Sequence, residues 1–371
     1  MAGFRRGLVH LGWLAVLAAF SYVEAGPSKQ AAMLVFGDSL SDVGNTFAAT
    51  GGLVPSAKAG YWSARFTNSP GTWVDYISKS MLISSVASNR SGHNFAYGGA
   101  TACAYPDSRR AMFPNAAQQY AAYKARRSEP IWWRTLKDKY AERFIVLWVG
   151  HNDFIEAVEG GALQTADDAV AFVERTVTCI VELVMQMVRD REPTIVVATL
   201  ADLSYTPFGI ETGQAEVLQV LVHAVNDNLA QTIEKLKPLA APNTTLAVWD
   251  LGKATTDLLG NATRRAQLGF RFNDSCLQYK AGDSPLAGST PIRNCTKPND
   301  RPFYDLVHPS AKLHQEIAKT GQELFTQLGV AKPASSATGR KLREAMRAYR
   351  LSARSLAQAS SKQRTLAQGA H

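Results

Sequence analysis

The sequence predicts an α/β protein, a three-layer α/β/α sandwich on a mainly parallel sheet, folded as a single domain. Two observations predict this class. Short apolar runs rich in β-branched residues are typical of strands that are buried on both faces of a parallel sheet. Long amphipathic patterns of helical period lie between these runs, and strand alternating with helix indicates a parallel sheet covered by helices.

The predicted elements follow one another along the chain. The strands are predicted at residues 31–37, 143–150, 194–200 and 245–250. The main helices are predicted at residues 165–190, 213–239 and 309–329. Thr165 is a suitable N-cap for the first of these helices, Pro238 ends the second, and Gly329 ends the third.

Both ends of the chain differ from the body. Residues 1–25 combine Arg5 and Arg6 with a short apolar run and end in Val-Glu-Ala, which is the pattern of a secretory signal peptide. The run is shorter than the ~20 residues that span a bilayer, so a signal is favoured over a membrane anchor. We therefore expect a signal at 1–25, a single folded domain at 26–330 and a basic tail at 331–371.

The charge of the chain lies in its tails. The formal net charge is +9, but residues 331–371 hold most of the excess and residues 26–330 contain equal numbers of bases and acids. A basic fold that follows a phosphate backbone is not indicated, so no nucleic-acid partner is expected.

Two interpretations of the tail stay open. As a helix it would carry an apolar stripe flanked by arginines, a form suited to peripheral contact with an anionic membrane. The composition favours the second interpretation, a disordered extension rich in Ala, Ser and Gln. The stripe consists of Leu342, Met346, Tyr349, Ala353 and Leu356, and the arginines are Arg343, Arg347, Arg350 and Arg354.

A secreted chain can carry glycans and disulfides. Five Asn-x-Ser/Thr sequons are candidates for N-glycosylation: Asn89, Asn243, Asn261, Asn273 and Asn294. Cys276 and Cys295 flank a loop rich in Gly, Pro, Ser and Asn, and we expect a disulfide between them. Cys103 and Cys179 either form a second bridge or leave Cys179 buried on its helix.

The first strand runs into the tight polar segment Gly37-Asp38-Ser39. Ser39 is thereby placed just past the carboxyl end of a strand, the edge where open α/β sheets carry their active sites. A serine nucleophile needs a base and a group that orients the base. Of the seven histidines, His308 alone has an acid three residues earlier, Asp305, and it begins the helix after the last strand.

Four segments together resemble the GDSL, or SGNH, family of serine esterases and lipases. They are "FGDSLSDVGN" (36–45), "NFAYGGAT" (94–101), "VGHND" (149–153) and "DLVHP" (305–309), in the order of the family's four blocks. A further segment, "RFTNSPGTWVDYI" (65–77), resembles one common in the lipase-like branch. The resemblance spans about residues 31–328 and implies a flavodoxin-like SGNH hydrolase fold.

The resemblance also implies residue roles. Ser39 would be the nucleophile, His308 the base and then the acid, and Asp305 the residue that orients His308. The oxyanion hole would combine the backbone N–H groups of Ser39 and Gly99 with the side-chain amide of Asn152. No Walker loop, dinucleotide fingerprint or metal-ligand cluster occurs, so no cofactor is expected.

The expected function is a secreted, extracellular carboxylic ester hydrolase of lipase-like type that works through a Ser39 acyl-enzyme. An acyltransferase that uses the same acyl-enzyme is the first alternative, and a non-catalytic lipid- or glycan-binding protein on a hydrolase fold is the second. The substrate would be a lipid, phospholipid or acylated glycan ester. We also expect six aromatic residues near the motifs to divide between core and substrate pocket: Tyr61, Trp62, Phe66, Trp73, Phe95 and Tyr97.

Overall fold

The computed structural model describes residues 30–332, apart from residues 85, 91, 281–282 and 284–288. The expected signal peptide at 1–25 lies outside the described residues. The expected tail lies outside them from residue 333 onward, together with its arginines and apolar stripe. Within the described ranges, no helix combines the length and the hydropathy needed to cross a membrane.

The central sheet has four parallel strands in the order β1-β2-β3-β4. The strands are β1 (Gln30–Gly37), β2 (Tyr140–Trp148), β3 (Thr194–Ala198) and β4 (Thr245–Trp249). All four lie where the sequence predicts them, and the parallel arrangement is confirmed. β2 begins three residues earlier than expected because Tyr140 pairs with Gln30 across an irregularity in the β1–β2 register.

Helices follow or connect the strands. The three predicted helices are confirmed within a few residues, and Thr165 caps its helix through a capping box with Asp168. The α-helices are α1 (Asn45–Ala49), α2 (Trp73–Met81), α3 (Ala116–Arg127), α4 (Pro130–Lys139), α5 (His151–Glu159), α6 (Ala166–Arg189), α7 (Pro207–Glu211), α8 (Ala215–Leu236), α9 (Leu251–Leu259), α10 (Ala262–Gln267) and α11 (Ala311–Gln327).

The sheet is buried on both faces, which makes the fold three-layered. Alternate residues of β1 enter opposite cores: Met33 and Val35 pack with α2, α9 and α11, whereas Leu34 and Phe36 pack with α3, α6 and α8. Successive side chains of a strand point to opposite faces, so an apolar run without alternation is the sequence pattern that such a sheet requires. The predicted α/β/α sandwich is therefore confirmed.

An irregular segment runs beside β1 and brings a second motif to the same edge of the sheet. Phe95 N donates to Val35 O over 2.7 Å, and Tyr97 N donates to Gly37 O over 3.1 Å. Because this segment follows β1 to its carboxyl end, it delivers Gly98 and Gly99 next to the turn that holds Ser39.

Two disulfides lie outside the sheet. Cys276 is bonded to Cys295 and closes a short hairpin of β5 (Leu277–Gln278) and β6 (Arg293–Asn294). Cys103 is bonded to Cys179, which resolves the open pairing in favour of a second bridge. Two disulfides fit an oxidising compartment. The five sequon asparagines named above are all exposed, so each is accessible to glycosylation, which remains a prediction.

Candidate active site

Ser39, His308 and Asp305 form one continuous chain of hydrogen bonds. Ser39 lies in the turn after β1, and its Oγ is 2.7 Å from His308 Nε2. His308 Nδ1 is 2.6 Å from Asp305 Oδ2. All three side chains are buried, with Ser39 the most accessible at 7% exposure. A serine, a histidine and a carboxylate in this order can generate a nucleophilic alkoxide, because the imidazole takes the proton and the carboxylate fixes the imidazole tautomer.

The Asp305 carboxylate is fully engaged. Its Oδ1 accepts the backbone N–H groups of Val307 (3.0 Å) and His308 (2.8 Å). Its Oδ2 accepts a 2.5 Å hydrogen bond from the Tyr61 hydroxyl as well as the bond to His308. Burial alone would raise the pKa of Asp305, but the charge of His308 and these hydrogen bonds outweigh burial and hold the pKa below its ordinary value. The carboxylate is therefore ionised at neutral pH.

Two backbone N–H groups beside the serine are available as donors. Among the described residues, neither the Ser39 N–H nor the Gly99 N–H finds a hydrogen-bond acceptor. Gly99 has φ of 83°, a conformation that side chains disfavour, so glycine is favoured there. Its neighbours are anchored, because Gly98 N donates to Asp42 Oδ2 over 3.0 Å and Ala100 O accepts from Asn152.

The Asn152 side chain is held at both ends. Its Nδ2 donates to Ala100 O over 2.8 Å, and its Oδ1 accepts from Arg110 Nη1 over 3.1 Å. One of its two amide hydrogens remains without an acceptor among the described residues, and Asn152 lines the same cavity as Ser39. A tight turn after β2 places it there, where Gly150 has φ of 135° and a Cβ would meet Leu200 at 3.0 Å.

Two buried aspartates hold the motif backbones together. Asp42 accepts the N–H groups of Gly44, Asn45 and Thr46, and it reaches across to Gly98. Asp153 accepts the N–H groups of Ala102 and Cys103. Burial raises the pKa of Asp153 to about 6 and also raises the pKa of Asp42, although the backbone hydrogen bonds oppose the shift in both.

His151, the variable residue of the Gly-x-Asn-Asp motif, bridges two loops. Its Nε2 accepts from Ala201 N over 3.0 Å, so the proton sits on Nδ1, which is 3.3 Å from Asp38 Oδ2. The side chain is buried and also lines the cavity at Ser39. It therefore connects the loop after β1 to the loop after β3.

A narrow cavity of about 40 Å³ lies beside Ser39. Its walls are mostly aliphatic and come from the loops after β1 and β3, from α5 and α9, and from the start of α11. The wall residues include Leu40, Ile155, Leu203, Leu259, Val307, Leu313 and Ile317. None of the six aromatic residues named above belongs to this wall, so the part of the expectation that placed some of them there is wrong. The other part is confirmed for Phe66 and Trp73, which are fully buried in the core.

The sequence does not indicate the contacts that two residues make in the site. Tyr61 bonds Asp305 across 244 residues of chain, and Arg110 bonds Asn152 across 42. Neither spacing is a local motif. A buried arginine is unusual without partners, but its burial is not visible in the sequence.

Comparison with known proteins agrees with the motifs. The sequence model of the GDSL-like lipase/acylhydrolase family matches residues 33–320. The chain is 24% identical over 289 residues to the secreted effector protein SseJ of Salmonella typhimurium, a match covering 77% of this chain but only 61% of the effector. It is 25% identical over 339 residues to the phosphatidylcholine-sterol acyltransferase of Aeromonas hydrophila, covering 80% of this chain and 91% of that enzyme.

Among solved structures, a possible lipase from Chitinophaga pinensis aligns with 81% of this chain and all of its own, at 15% identity and a TM-score of 0.36.

Proposed function

Since this chain belongs to the GDSL-like lipase/acylhydrolase family, we propose that it is a serine hydrolase that cleaves carboxylic esters through an acyl-enzyme on Ser39. The observation that carries the proposal is the hydrogen-bond chain from Ser39 Oγ through His308 to Asp305. His308 would act first as a base and then as an acid. Both roles need the imidazole in contact with the serine and held in place by the carboxylate on its other side.

The reaction proceeds in two steps. Ser39 Oγ attacks the ester carbonyl while His308 Nε2 accepts its proton, and His308 then returns the proton to the departing alcohol. Water, deprotonated by His308, attacks the acyl-enzyme and releases the acid and free Ser39. The N–H groups of Ser39 and Gly99 and the free amide hydrogen of Asn152 stabilise the oxyanion in both steps. Asp305 keeps the imidazole in the tautomer that can accept from serine.

The cavity supports an apolar acyl group of limited size. About 10–15 Å³ are needed to hold one water-sized group, so about 40 Å³ accommodates a short acyl chain. We expect esters of acetate through butyrate to be turned over faster than long-chain esters.

Acyl transfer is the second candidate. The similarity to a phosphatidylcholine-sterol acyltransferase favours it, because the same acyl-enzyme can be discharged by an alcohol. In that case a phospholipid would be the acyl donor and a sterol the acceptor.

The processing of the chain is also proposed. A signal peptide at 1–25 would direct secretion, residues 26–330 would form the hydrolase domain, and residues 331–371 would be a basic tail. The two disulfides support an extracellular location.

A panel of nitrophenyl esters of rising chain length tests the proposed function. Ser39→Ala and His308→Ala should each lower kcat by about 10⁴–10⁶, and the double variant should lose no more, because the two residues act as a unit. Ser41→Ala is the matched control, since the Ser41 hydroxyl accepts from Trp73 Nε1 and does not bond His308. Retained turnover in folded Ser39→Ala would reject the proposal.

Phosphatidylcholine vesicles with and without cholesterol test whether water or a sterol accepts the acyl group. Free fatty acid in both samples indicates hydrolysis. Steryl ester formed with cholesterol present, in place of fatty acid, indicates transfer.

A further inference from the structure

Two tyrosines, the buried Tyr61 and the half-buried Tyr279, continue the hydrogen-bond chain behind Asp305. Tyr61 OH donates to Asp305 Oδ2 over 2.5 Å, and Tyr279 OH lies 3.0 Å from the Tyr61 oxygen. Tyr61 is 3% exposed and Asp305 is inaccessible. Because an ionised carboxylate only accepts, the single Tyr61 hydroxyl hydrogen is used at Asp305. Tyr279 is therefore the donor to Tyr61, and the donor direction runs from the hairpin toward the site.

We propose that Tyr61 is a positioning residue that fixes Asp305 and sets how much negative charge Asp305 presents to His308, and that the disulfide-bridged hairpin holds Tyr61 in place through Tyr279. This inference rests on the proposed role of Ser39, His308 and Asp305. It assigns a role in the site to the irregular region before Asp305, which contains the hairpin and Tyr279.

The negative charge on Asp305 Oδ2 is shared between two hydrogen bonds, one from Tyr61 and one from His308. Asp305 Oδ2 has two donors, His308 Nδ1–H and Tyr61 OH, whereas Oδ1 is occupied by backbone N–H groups. Short O–H···O⁻ bonds of this length are among the strong hydrogen bonds of proteins. Burial and then the Asp305 charge raise the pKa of Tyr61 well above its ordinary value, so Tyr61 remains a neutral donor.

The hairpin is attached directly to the chain that leads into Asp305. Cys276 N donates to Phe303 O over 3.3 Å, and Leu277 N donates to Tyr304 O over 2.6 Å. Tyr61, Cys276, Leu277 and Tyr304 form one buried apolar cluster. Tyr279 follows β5 directly, so the disulfide at Cys276 and the position of the Tyr279 hydroxyl are fixed by the same short element.

The direction of the effect follows from the charge. Without the Tyr61 hydroxyl, the negative charge on Asp305 Oδ2 is shared with His308 alone. The protonated imidazole is then better stabilised, and the base loses its proton only at higher pH. The acidic limb of the kcat/KM profile should therefore move to higher pH. A loss of packing alone would lower the rate at every pH and leave the limb in place.

The test compares Tyr61→Phe with Tyr304→Phe in full pH profiles of ester hydrolysis. Tyr304 lies in the same cluster, with its ring 5.4 Å from that of Tyr61, but its hydroxyl donates to Gly60 O over 2.7 Å. Tyr61→Phe should move the acidic limb up by about 0.5–1 pH unit, and Tyr304→Phe should leave it unmoved. Tyr279→Phe, which does not touch Asp305, should move it in the same direction by less.

Coincident limbs in wild type, Tyr61→Phe and Tyr279→Phe would overturn the inference, as would an equal shift in Tyr304→Phe. If Tyr61→Phe does not fold, Tyr279→Phe decides by the same criterion. Failure of the proposed function is distinguishable, because then wild-type protein would not react with a fluorophosphonate at Ser39. If Ser39 is labelled but the acidic limbs of the pH profiles coincide, only the role of Tyr61 is rejected and the proposed function stands.

Discussion

Arg110 places a buried positive charge against the side chain of Asn152. It is 5% exposed, it donates to Asn152 Oδ1 over 3.1 Å, and it pairs with Glu156 and Glu159 at 3.0 and 3.1 Å. A cation at the amide oxygen fixes the rotamer and draws electron density from the amide, which makes its N–H a better donor. We therefore expect Arg110 to position the proposed oxyanion donor.

A double-mutant cycle tests this role. Asn152→Ala should lower kcat by about 10²–10³, and Arg110→Met should lower kcat by less. If Arg110 acts through Asn152, Arg110→Met should cost nothing further in the Asn152→Ala background. Arg109→Met is the matched control, because Arg109 is exposed and shares Glu159 without reaching Asn152. An equal loss from Arg110→Met in both backgrounds would contradict the account.

Local spacing predicts some contacts of the site and cannot predict others. Asp305 and His308 lie three residues apart, so one turn brings the carboxylate to the imidazole, and the sequence indicates that pair directly. Tyr61 meets Asp305 only because the loop before α2 and the hairpin pack against the same segment. Such a contact depends on tertiary packing, which leaves no periodic pattern in the chain.

At the scale of elements, buried strands are predicted best because each is a continuous apolar run. The prediction names no helix at 116–127, although α3 packs against β1. Its buried face includes Gln119, whose amide accepts from Gly37 N and donates to Gly37 O, each over 2.9 Å. This glutamine pairs the free N–H and C=O groups at the end of β1. It also interrupts the apolar periodicity of the helix, so the amphipathic pattern that would predict the helix is weaker.

α11 carries a buried histidine that makes the fold sensitive to acid. His314 is fully buried, and neither of its ring nitrogens has a hydrogen-bond partner among the described residues. Burial, with the charge of His308 second, lowers the pKa of His314 from 6.5 to about 3. The unfolded chain thus binds a proton at a higher pH than the folded one. The stabilising contribution is complete above about pH 6.5 and is lost as the pH falls toward 3.

His314→Leu should remove this sensitivity. Between pH 5.5 and 4.5 one such group lowers the free energy of unfolding by about 1.4 kcal/mol. Urea unfolding at both pH values should show a fall that is smaller by about this amount in His314→Leu than in wild type. Equal falls in the two proteins would mean that His314 titrates normally in the fold.

At the scale of the molecule, the topology explains why distant motifs meet. Ser39 and His308 are 269 residues apart, yet the first follows β1 and the second precedes α11 at the carboxyl edge of the same parallel sheet. The strand and helix pattern predicted the fold, and the four motifs predicted which residues meet at this edge; the roles of those residues remain predictions. The sequence could not predict that the disulfide-bridged hairpin reaches the site, because its residues show no regular pattern. The tail and the signal peptide remain predictions.

The central claim is that Ser39 is an activated nucleophile, and covalent labelling tests it most directly. Folded protein treated with a fluorophosphonate should gain one adduct, and peptide mapping by mass spectrometry should find it on Ser39, because such reagents react with serines that have a base in contact. Heat-unfolded protein and Ser39→Ala should remain unlabelled. An adduct on another serine, or no adduct on folded wild-type protein, would contradict the account.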